Sequence, residues 1–216
     1  MKFFLFFCLG SSLGSFIGLI IDRFPEKSII FPNSYCNYCK HSLAPRDLIP
    51  ILSQIINKNR CRFCGYPIPF HYLLLELFCG SICLLYANGC FSFSQLILLF
   101  MGILLSLYDL KDHSYPIIFW LAFTFFLMVF YPLNLISLFL FFLGLYAALK
   151  NIQIGSGDLL YLSTLALSLN FQEILWVVQI ASLLGIVYYL FCKKEESPIA
   201  FVPFLFSGYI AVLFFL

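Results

Sequence analysis

The chain has 216 residues, of which 62% are hydrophobic and only 10% charged, and its formal net charge is +2 at pH 7. Its mean hydropathy of +1.00 argues against an ordinary soluble domain, whose core does not need so much apolar surface. Long apolar runs with almost no internal charge instead predict an all-α protein that crosses a membrane several times.

Eight apolar segments are candidates for transmembrane helices. Several are shorter than the roughly 20 residues that a bilayer about 30 Å thick requires, and the sixth is the weakest, so we expect seven or eight spans. In chain order the segments are Phe3–Ile21, Tyr72–Ala87, Phe93–Tyr108, Tyr115–Phe130, Leu133–Leu149, Leu159–Asn170, Ile174–Cys192 and Ile199–Leu216.

The first segment has an alternative interpretation as a cleaved signal peptide, because Lys2 precedes its apolar stretch. That stretch is long for a signal-peptide core, and Arg23 and Lys27 make its far end basic. We therefore predict that residues 1–21 are retained as the first transmembrane helix. Residues 22–71 hold seven of the twelve Lys and Arg and no long apolar run. They predict a small polar domain, followed by a membrane domain of residues 72–216.

Basic residues are distributed unevenly over the predicted loops. If the N-terminus lies outside, only Lys2 falls on the outer side, and the other eleven of the twelve Lys and Arg fall inside. The inner group comprises the seven of the polar domain with Lys111, Lys150, Lys193 and Lys194. Because cytoplasmic loops are enriched in positive charge, we predict a multi-pass protein of the plasma or inner membrane with a cytoplasmic polar domain. Membrane lipid is an expected partner, and nucleic acid is not.

Four of the nine cysteines form two C-x-x-C pairs in the polar domain. Cys36 and Cys39 make the first pair, Cys61 and Cys64 make the second, and 21 residues separate them. Two thiolates on each of two turns complete a tetrahedral zinc site and leave no open coordination position, which predicts a structural metal. Such a metal would stabilise a domain too small to bury much core. Two disulfides or inert thiols are the alternative, and a reducing cytosol argues against disulfides.

Gly65 and the five cysteines outside the pairs have structural roles in this interpretation. Gly65 follows the second pair and suits a turn, because glycine tolerates positive φ. The other five cysteines lie in or at the ends of apolar segments, and we expect them to be small buried hydrophobes. They are Cys8, Cys79, Cys83, Cys90 and Cys192.

Three acidic residues lie in or at the edge of apolar runs: Glu76, Asp109 and Asp158. An ionisable group in such a position is costly and therefore suggests a function. The alternative is an interfacial residue that headgroups and water solvate. Asp112, in the charged turn after Asp109, is a rival that we expect to be solvated, and His113 beside it is more simply interfacial than a base.

A pair of carboxylates can perform chemistry that neither performs alone. Under the predicted topology Asp109 and Asp158 lie at the same inner face. Two carboxylates in contact share a proton, so that one activates a water and the other polarises a peptide carbonyl. The glycines around Ser156 would let the backbone turn sharply and let another helix or a substrate strand approach. No Ser-His-Asp set, phosphate-binding loop or dinucleotide fingerprint occurs in the sequence.

Six stretches, in this order and spacing, together resemble one known family, the type IV prepilin leader peptidases. These GxGD-type membrane aspartic proteases serve pilus, type II secretion and competence systems. The resemblance covers nearly the whole chain. The stretches are "LGSFIGLIIDRFP" (Gly14, Ser15, Phe16, Arg23, Pro25), the two C-x-x-C pairs, "PFHYLLLEL" with Glu76, "DLKDHSYP" with Asp109 and Pro116, "GSGD" ending in Asp158, and "PIAFVPFLFSG".

The resemblance implies that Asp109 and Asp158 are catalytic and that the enzyme removes the short basic leader from membrane-anchored prepilins or pseudopilins. It also implies methylation of the new N-terminus with S-adenosylmethionine, a second activity for which the sequence shows no cofactor-binding pattern. Three positions depart from the family: Gly18 replaces Asn, Ile117 replaces an acid, and Leu160 replaces Lys. Neither catalytic Asp is affected.

Two other functional classes remain open. Two intramembrane acids also suit a proton- or ion-coupled carrier, although carriers often contain internal repeats and none is evident here. A non-catalytic membrane assembly factor held by its zinc domain is the third hypothesis.

Overall fold

The computed structural model describes residues 1–150, 155–192 and 199–215. The predicted inner residues Lys193 and Lys194, the end of the last segment at Leu216, and the side chain of Cys192 lie outside the described residues. The described helices are α1 (Lys2–Arg23), α2 (Leu52–Ile56), α3 (His71–Ala87), α4 (Phe93–Asp112), α5 (Ile117–Leu127), α6 (Leu135–Lys150), α7 (Ser156–Ser168), α8 (Phe171–Cys192) and α9 (Val202–Phe215), with a 3-10 turn at Pro45–Leu48.

The predicted all-α class is confirmed, since the described residues form helices and only two isolated β-bridges. Each of the eight apolar segments contains one helix. Three helices are long and apolar enough to cross a membrane: α1, α4 and the stretch Phe171–Phe191 of α8. The helices α3, α5, α6 and α9 are apolar but shorter. The coarse prediction of a helical membrane protein therefore holds, and the count of eight spans stays a prediction.

The chain divides into two compact units, Met1–Leu96 and Ile97–Leu216. In the first unit, α1 packs along α3 through glycines. A Cβ at Gly10 would lie 2.5 Å from the Cys79 carbonyl oxygen, and one at Gly14 would lie 3.0 Å from the Cys79 side chain. Small residues thus let the two backbones approach closely, as is common between membrane helices.

The prediction that the cysteines outside the two pairs are buried is correct for two of them. Cys79 and Cys83 are fully buried against α1. For Cys8 and Cys90 it is wrong, because both are exposed. Cys8 is not among the residues that α1 buries, and Cys90 lies in the turn after α3, beyond the end of that helix.

In the second unit, α7 is a buried helix. Its residues 161–167 are all buried, and Gly102 of α4 is covered by Phe206 of α9 and by Tyr161 of α7. A helix enclosed by protein needs less apolar surface than one that faces lipid. This explains why the sixth segment has the weakest hydrophobic signal in the sequence.

Polar contacts join α5 to α7. The Trp120 indole N–H donates to the Leu160 carbonyl at 2.9 Å, and the hydroxyls of Thr124 and Thr164 are 2.9 Å apart. The contacting residues advance together along both helices, so α5 and α7 run parallel. The short loop after α4 leads directly into α5, and the N-terminal ends of α5 and α7 therefore lie together.

Candidate active site and metal centre

Asp109 lies in the last turn of α4, which extends to Asp112 rather than ending at Tyr108. Its side chain is only 8% exposed, whereas Asp112 is exposed, as predicted for the rival residue. The Val202 N–H, at the first residue of α9, donates to Asp109 Oδ2 at 3.0 Å. The first N–H groups of a helix have no partner within the helix and carry its positive dipole end. Asp109 therefore sits where α9 offers a favourable anion site.

The contact of Asp109 with α9 could not be predicted from the sequence, although the segment at the beginning of α9 is one of the six stretches that resemble the family. Residues Val202 and Asp109 are 93 positions apart, and a backbone N–H has no signature of its own. The only local signal is Pro203 in the first turn of α9, a position where proline marks the beginning of a helix.

Asp158 lies in the first turn of α7, and its side chain folds back towards Gly155. A Cβ on Gly155 would collide with Asp158 Oδ2, and a Cβ on Gly157 would lie 3.0 Å from the ring of Tyr115. Gly155 has φ −57°, which any residue adopts. The φ of Gly155 does not itself require a glycine, and a sharp turn in the "GSG" stretch stays a prediction. The two glycines make room for the carboxylate and for the aromatic ring that approaches it.

Asp109 and Asp158 both lie in the second unit, and a hydrogen bond connects the segments that carry them. The hydroxyl of Tyr115, six residues after Asp109, donates to the carbonyl of Gly157, the residue before Asp158, at 2.6 Å. Among the described residues, no hydrogen bond joins the two carboxylates directly. Catalytic contacts often form or shorten only when substrate binds.

Glu76 lies in the first unit and has a different environment. It is 5% exposed, and its Oε2 accepts the Ile51 N–H at 2.7 Å and the Gln54 side-chain amide at 3.1 Å. Ile51 has a φ of +64°, which is unusual for a β-branched residue. Glu76 thus links α3 to the polar domain by hydrogen bonds and stabilises the unusual backbone conformation of Ile51.

The four predicted metal ligands are brought together in the first unit. The sulfurs of Cys36, Cys39, Cys61 and Cys64 all lie within 4.8 Å of one another, and those of Cys36 and Cys64 are 3.8 Å apart. A tetrahedral zinc with bonds of about 2.3 Å separates its sulfurs by about 3.8 Å. All four cysteines are free thiols, so the alternative of two disulfides is not what this geometry shows. The donor set and spacing fit zinc.

The two turns that carry the cysteine pairs have the same structure, offset by 25 residues. In each turn the first cysteine N–H donates to the carbonyl five residues later, and its carbonyl accepts an N–H from four residues later. The bonds are Cys36 to His41 (3.0 Å) and Lys40 to Cys36 (2.9 Å), and then Cys61 to Tyr66 and Gly65 to Cys61 (both 2.8 Å). An isolated β-bridge closes each turn, Tyr35 with Ser42 and Arg60 with Pro67.

The turns differ at one equivalent position. Gly65 has φ +71°, as predicted, and Lys40 has φ +58° in the corresponding place. The first turn therefore adopts the left-handed conformation without a glycine. The rings of Tyr38 and Tyr66 stack across the two turns with centroids 4.7 Å apart.

Comparison with known proteins identifies relatives of both parts. The family described as Bacterial Peptidase A24 N-terminal domain matches residues 8–89, which include the two cysteine pairs and Glu76. No solved structure matches the chain.

Curated relatives named "Prepilin leader peptidase/N-methyltransferase" match over different lengths. The Myxococcus xanthus protein is 44% identical over 35% of this chain and 23% of its own length. The Klebsiella pneumoniae protein is 34% identical over 51% of this chain and 53% of its own. The Burkholderia pseudomallei (strain K96243) protein is 28% identical over 96% of this chain and 83% of its own. The chain thus spans about a quarter to a half of the first two relatives and most of the third.

Over its described residues, the structure defines a helical protein with three candidate membrane spans and a cluster of four thiols within 4.8 Å of one another. Within that class, the comparisons confirm the resemblance found in the sequence. The chain is similar to the prepilin peptidases over residues 8–89 and, at lower identity, over most of its length.

Proposed function

We propose that this chain is a membrane aspartic endopeptidase that cleaves the basic leader from type IV prepilins or pseudopilins. The observation that carries the proposal is the hydrogen bond from Tyr115, in the loop directly after α4, to the Gly157 carbonyl, because it joins the end of α4 that carries Asp109 to the turn that carries Asp158. The names of the relatives indicate the same reaction.

The chemistry follows from two carboxylates that share one proton. The ionised member accepts a proton from a water molecule, which attacks the scissile carbonyl carbon. The protonated member donates a hydrogen bond to the carbonyl oxygen and stabilises the charge that develops there. The same pair then returns a proton to the leaving amine, so cleavage requires neither a metal nor a covalent intermediate. Asp109 and Asp158 are the residues to which we assign these roles.

The proposed membrane arrangement places this site at the cytoplasmic face. Eight helices, α1 and α3–α9, would span the membrane, with residues 22–71 in the cytoplasm. The described contacts support a common end, because Asp109 touches the first residue of α9 while the beginnings of α5 and α7 lie together. The substrate is itself anchored in the membrane, so it would reach the pair laterally between helices.

Zinc is the proposed structural cofactor of the polar domain. The four thiolates of Cys36, Cys39, Cys61 and Cys64 would hold it, and it would supply a crosslink between two turns that share little apolar core. No catalytic step involves this site, because four protein ligands close the coordination sphere.

Methylation of the new N-terminus is the proposed second activity, with S-adenosylmethionine as the methyl donor. A cavity of about 660 Å³ in the first unit is large enough for a ligand of that size. Its lining includes Asp22, Tyr72 and Gln54, and the buried Gln54 Oε1 has no partner among the described residues. These groups could accept hydrogen bonds from the amino group and ribose hydroxyls of the cofactor.

The decisive experiment replaces each carboxylate by its amide. Asp109→Asn and Asp158→Asn keep the shape but remove the titrating group, and each should lower prepilin cleavage in membranes by about 10³-fold or more. Asp112→Asn is the matched control, because Asp112 is exposed and three residues away from Asp109. The mass of the trimmed pilin reports N-terminal methylation in the same reaction.

The same experiment separates the other functional classes. Near-normal cleavage in either Asn variant, with normal protein accumulation, would remove the aspartic mechanism. An assembly factor would keep its function in both variants, and a carrier would lose ion movement without ever cleaving prepilin.

A further inference from the structure

Tyr115 lies in the loop between α4 and α5, six residues after Asp109 and directly before Pro116. Its hydroxyl donates a hydrogen bond to the Gly157 carbonyl oxygen at 2.6 Å. Its ring covers the side of Gly157 where a Cβ would otherwise stand. A side chain from the segment that carries Asp109 therefore contacts the residue immediately before Asp158.

Of the polar contacts that α7 makes with α5 and the loop before it, this one lies nearest to Asp158. The two other polar contacts between α5 and α7 lie further along the helices, at Trp120 with Leu160 and at Thr124 with Thr164. They hold the helices together whether or not the tyrosine hydroxyl is present. The Tyr115 bond instead restrains the first turn of α7, where Asp158 projects.

Few other groups among the described residues could restrain this turn. Gly155 and Gly157 have no side chains to fix the turn, and Gly155 has no side-chain cap. Tyr115 lies six residues after Asp109 and bonds the residue directly before Asp158, so it links the two segments that carry the acids. Its apolar ring fills the space that Gly157 leaves open, and its hydroxyl fixes the peptide that precedes the acid.

We propose that Tyr115 is a positioning residue that sets the separation of Asp109 and Asp158 by bonding the Gly157 carbonyl from the loop after α4. The inference rests on the proposed peptidase function, because it assigns a further residue to that reaction. Tyr115 does not exchange protons with substrate in this scheme. It limits the movement of the turn on which one of the two reacting carboxylates stands.

Steady-state cleavage by Tyr115→Phe provides the first test. This variant removes the hydroxyl and keeps the ring, and loss of one hydrogen bond that restrains the turn should lower kcat about 10-fold with KM unchanged. Tyr146→Phe is the control, because Tyr146 is an exposed residue of α6. An unchanged kcat in Tyr115→Phe, or a change confined to KM, would overturn the positioning role.

A second measurement does not depend on catalysis. Asp109→Cys and Asp158→Cys are combined in a background that retains only the four paired cysteines, and the rate of disulfide formation is measured with and without Tyr115→Phe. A slower cross-link in the Tyr115→Phe background supports the proposal even if the protein cleaves no prepilin. An equal rate in both backgrounds refutes it even if the peptidase function is upheld.

Discussion

The thiol cluster and the carboxylate pair are assembled in different ways. The four thiols come from two short turns within residues 36–64, and each turn is closed by its own backbone hydrogen bonds. The carboxylates come from the ends of two helices, and the backbone partner of Asp109 lies 93 residues further along the chain. One site is therefore built locally, and the other depends on how a helical unit is packed.

This difference predicts different consequences of damage. If the thiols hold a metal, loss of one should unfold the polar domain, because the crosslink would replace much of its core. A small displacement of a carboxylate should remove activity while the helices remain packed, because it leaves the apolar contacts between the helices in place. The three predictions below test this contrast, beginning with the largest effect.

Removal of one thiol ligand should have the largest effect. Cys61→Ser replaces the one ligand that is buried, and the zinc content of purified protein should fall from about one per chain to none. Limited proteolysis should then cut residues 22–71 first and leave the helices of the second unit protected. Cys90→Ser is the control, because Cys90 is exposed in the same unit and outside the cluster. Equal zinc content in both variants would contradict a zinc site.

The smallest change at the carboxylates should separate activity from stability. In Gly155→Ala the new methyl group would occupy the place of Asp158 Oδ2, and this flexible side chain can move away at little cost to the fold. A displacement of about 1 Å lowers catalysis about 10²-fold, so cleavage should fall by that factor with little change in thermal unfolding. In Gly157→Ala the new methyl group would contact the Tyr115 ring instead, and cleavage should fall by a smaller factor.

Gly185→Ala is the matched control for these two substitutions. Gly185 lies within α8, and a Cβ there would have its nearest neighbour at an ordinary contact distance of 3.5 Å. Its cleavage rate should equal that of the unmodified protein. A Gly155→Ala variant as active as this control would show that the position of Asp158 does not limit the reaction.

The sequence was sufficient for features whose signal is local or compositional. The C-x-x-C pairs, the helical class and the positive φ of Gly65 all follow from residues that are neighbours in the chain. The two aspartates were found because acids are rare in apolar segments, although composition does not say which side chains meet. Their partnership was inferred from a common membrane face and from the order of motifs.

Features that depend on packing could not be predicted in the same way. Glu76 was singled out as an acid, but its bonds to the Ile51 N–H and to Gln54 depend on how α3 meets the polar domain. The Val202 N–H belongs to the backbone and is therefore invisible in a pattern of side chains. In the sequence Tyr115 cannot be distinguished from the other aromatic residues of the apolar segments, because its contact with Gly157 depends on packing.

The smallest predicted effect is the cost of positive φ in the two turns that carry the cysteine pairs. Gly65 and Lys40 occupy equivalent positions with φ of +71° and +58°. An L-residue in this left-handed region costs about 1–2 kcal/mol, and glycine avoids that cost. A Cβ at Gly65 would have no neighbour within 4 Å. Substitution there consequently tests the backbone conformation alone.

Alanine and glycine should be compared at both positions. At position 65, Gly65→Ala should lower the stability of the polar domain by about 1 kcal/mol. At position 40, Lys40→Ala and Lys40→Gly both lose the contact of the ammonium with the Tyr35 ring, so their difference reports the backbone term, and the glycine variant should be the more stable by about 1 kcal/mol. Both differences are measured by following zinc release from the whole 216-residue chain as the urea concentration is raised. The two turns are not equivalent in solution if Lys40→Gly is no more stable than Lys40→Ala while Gly65→Ala lowers the stability of the polar domain.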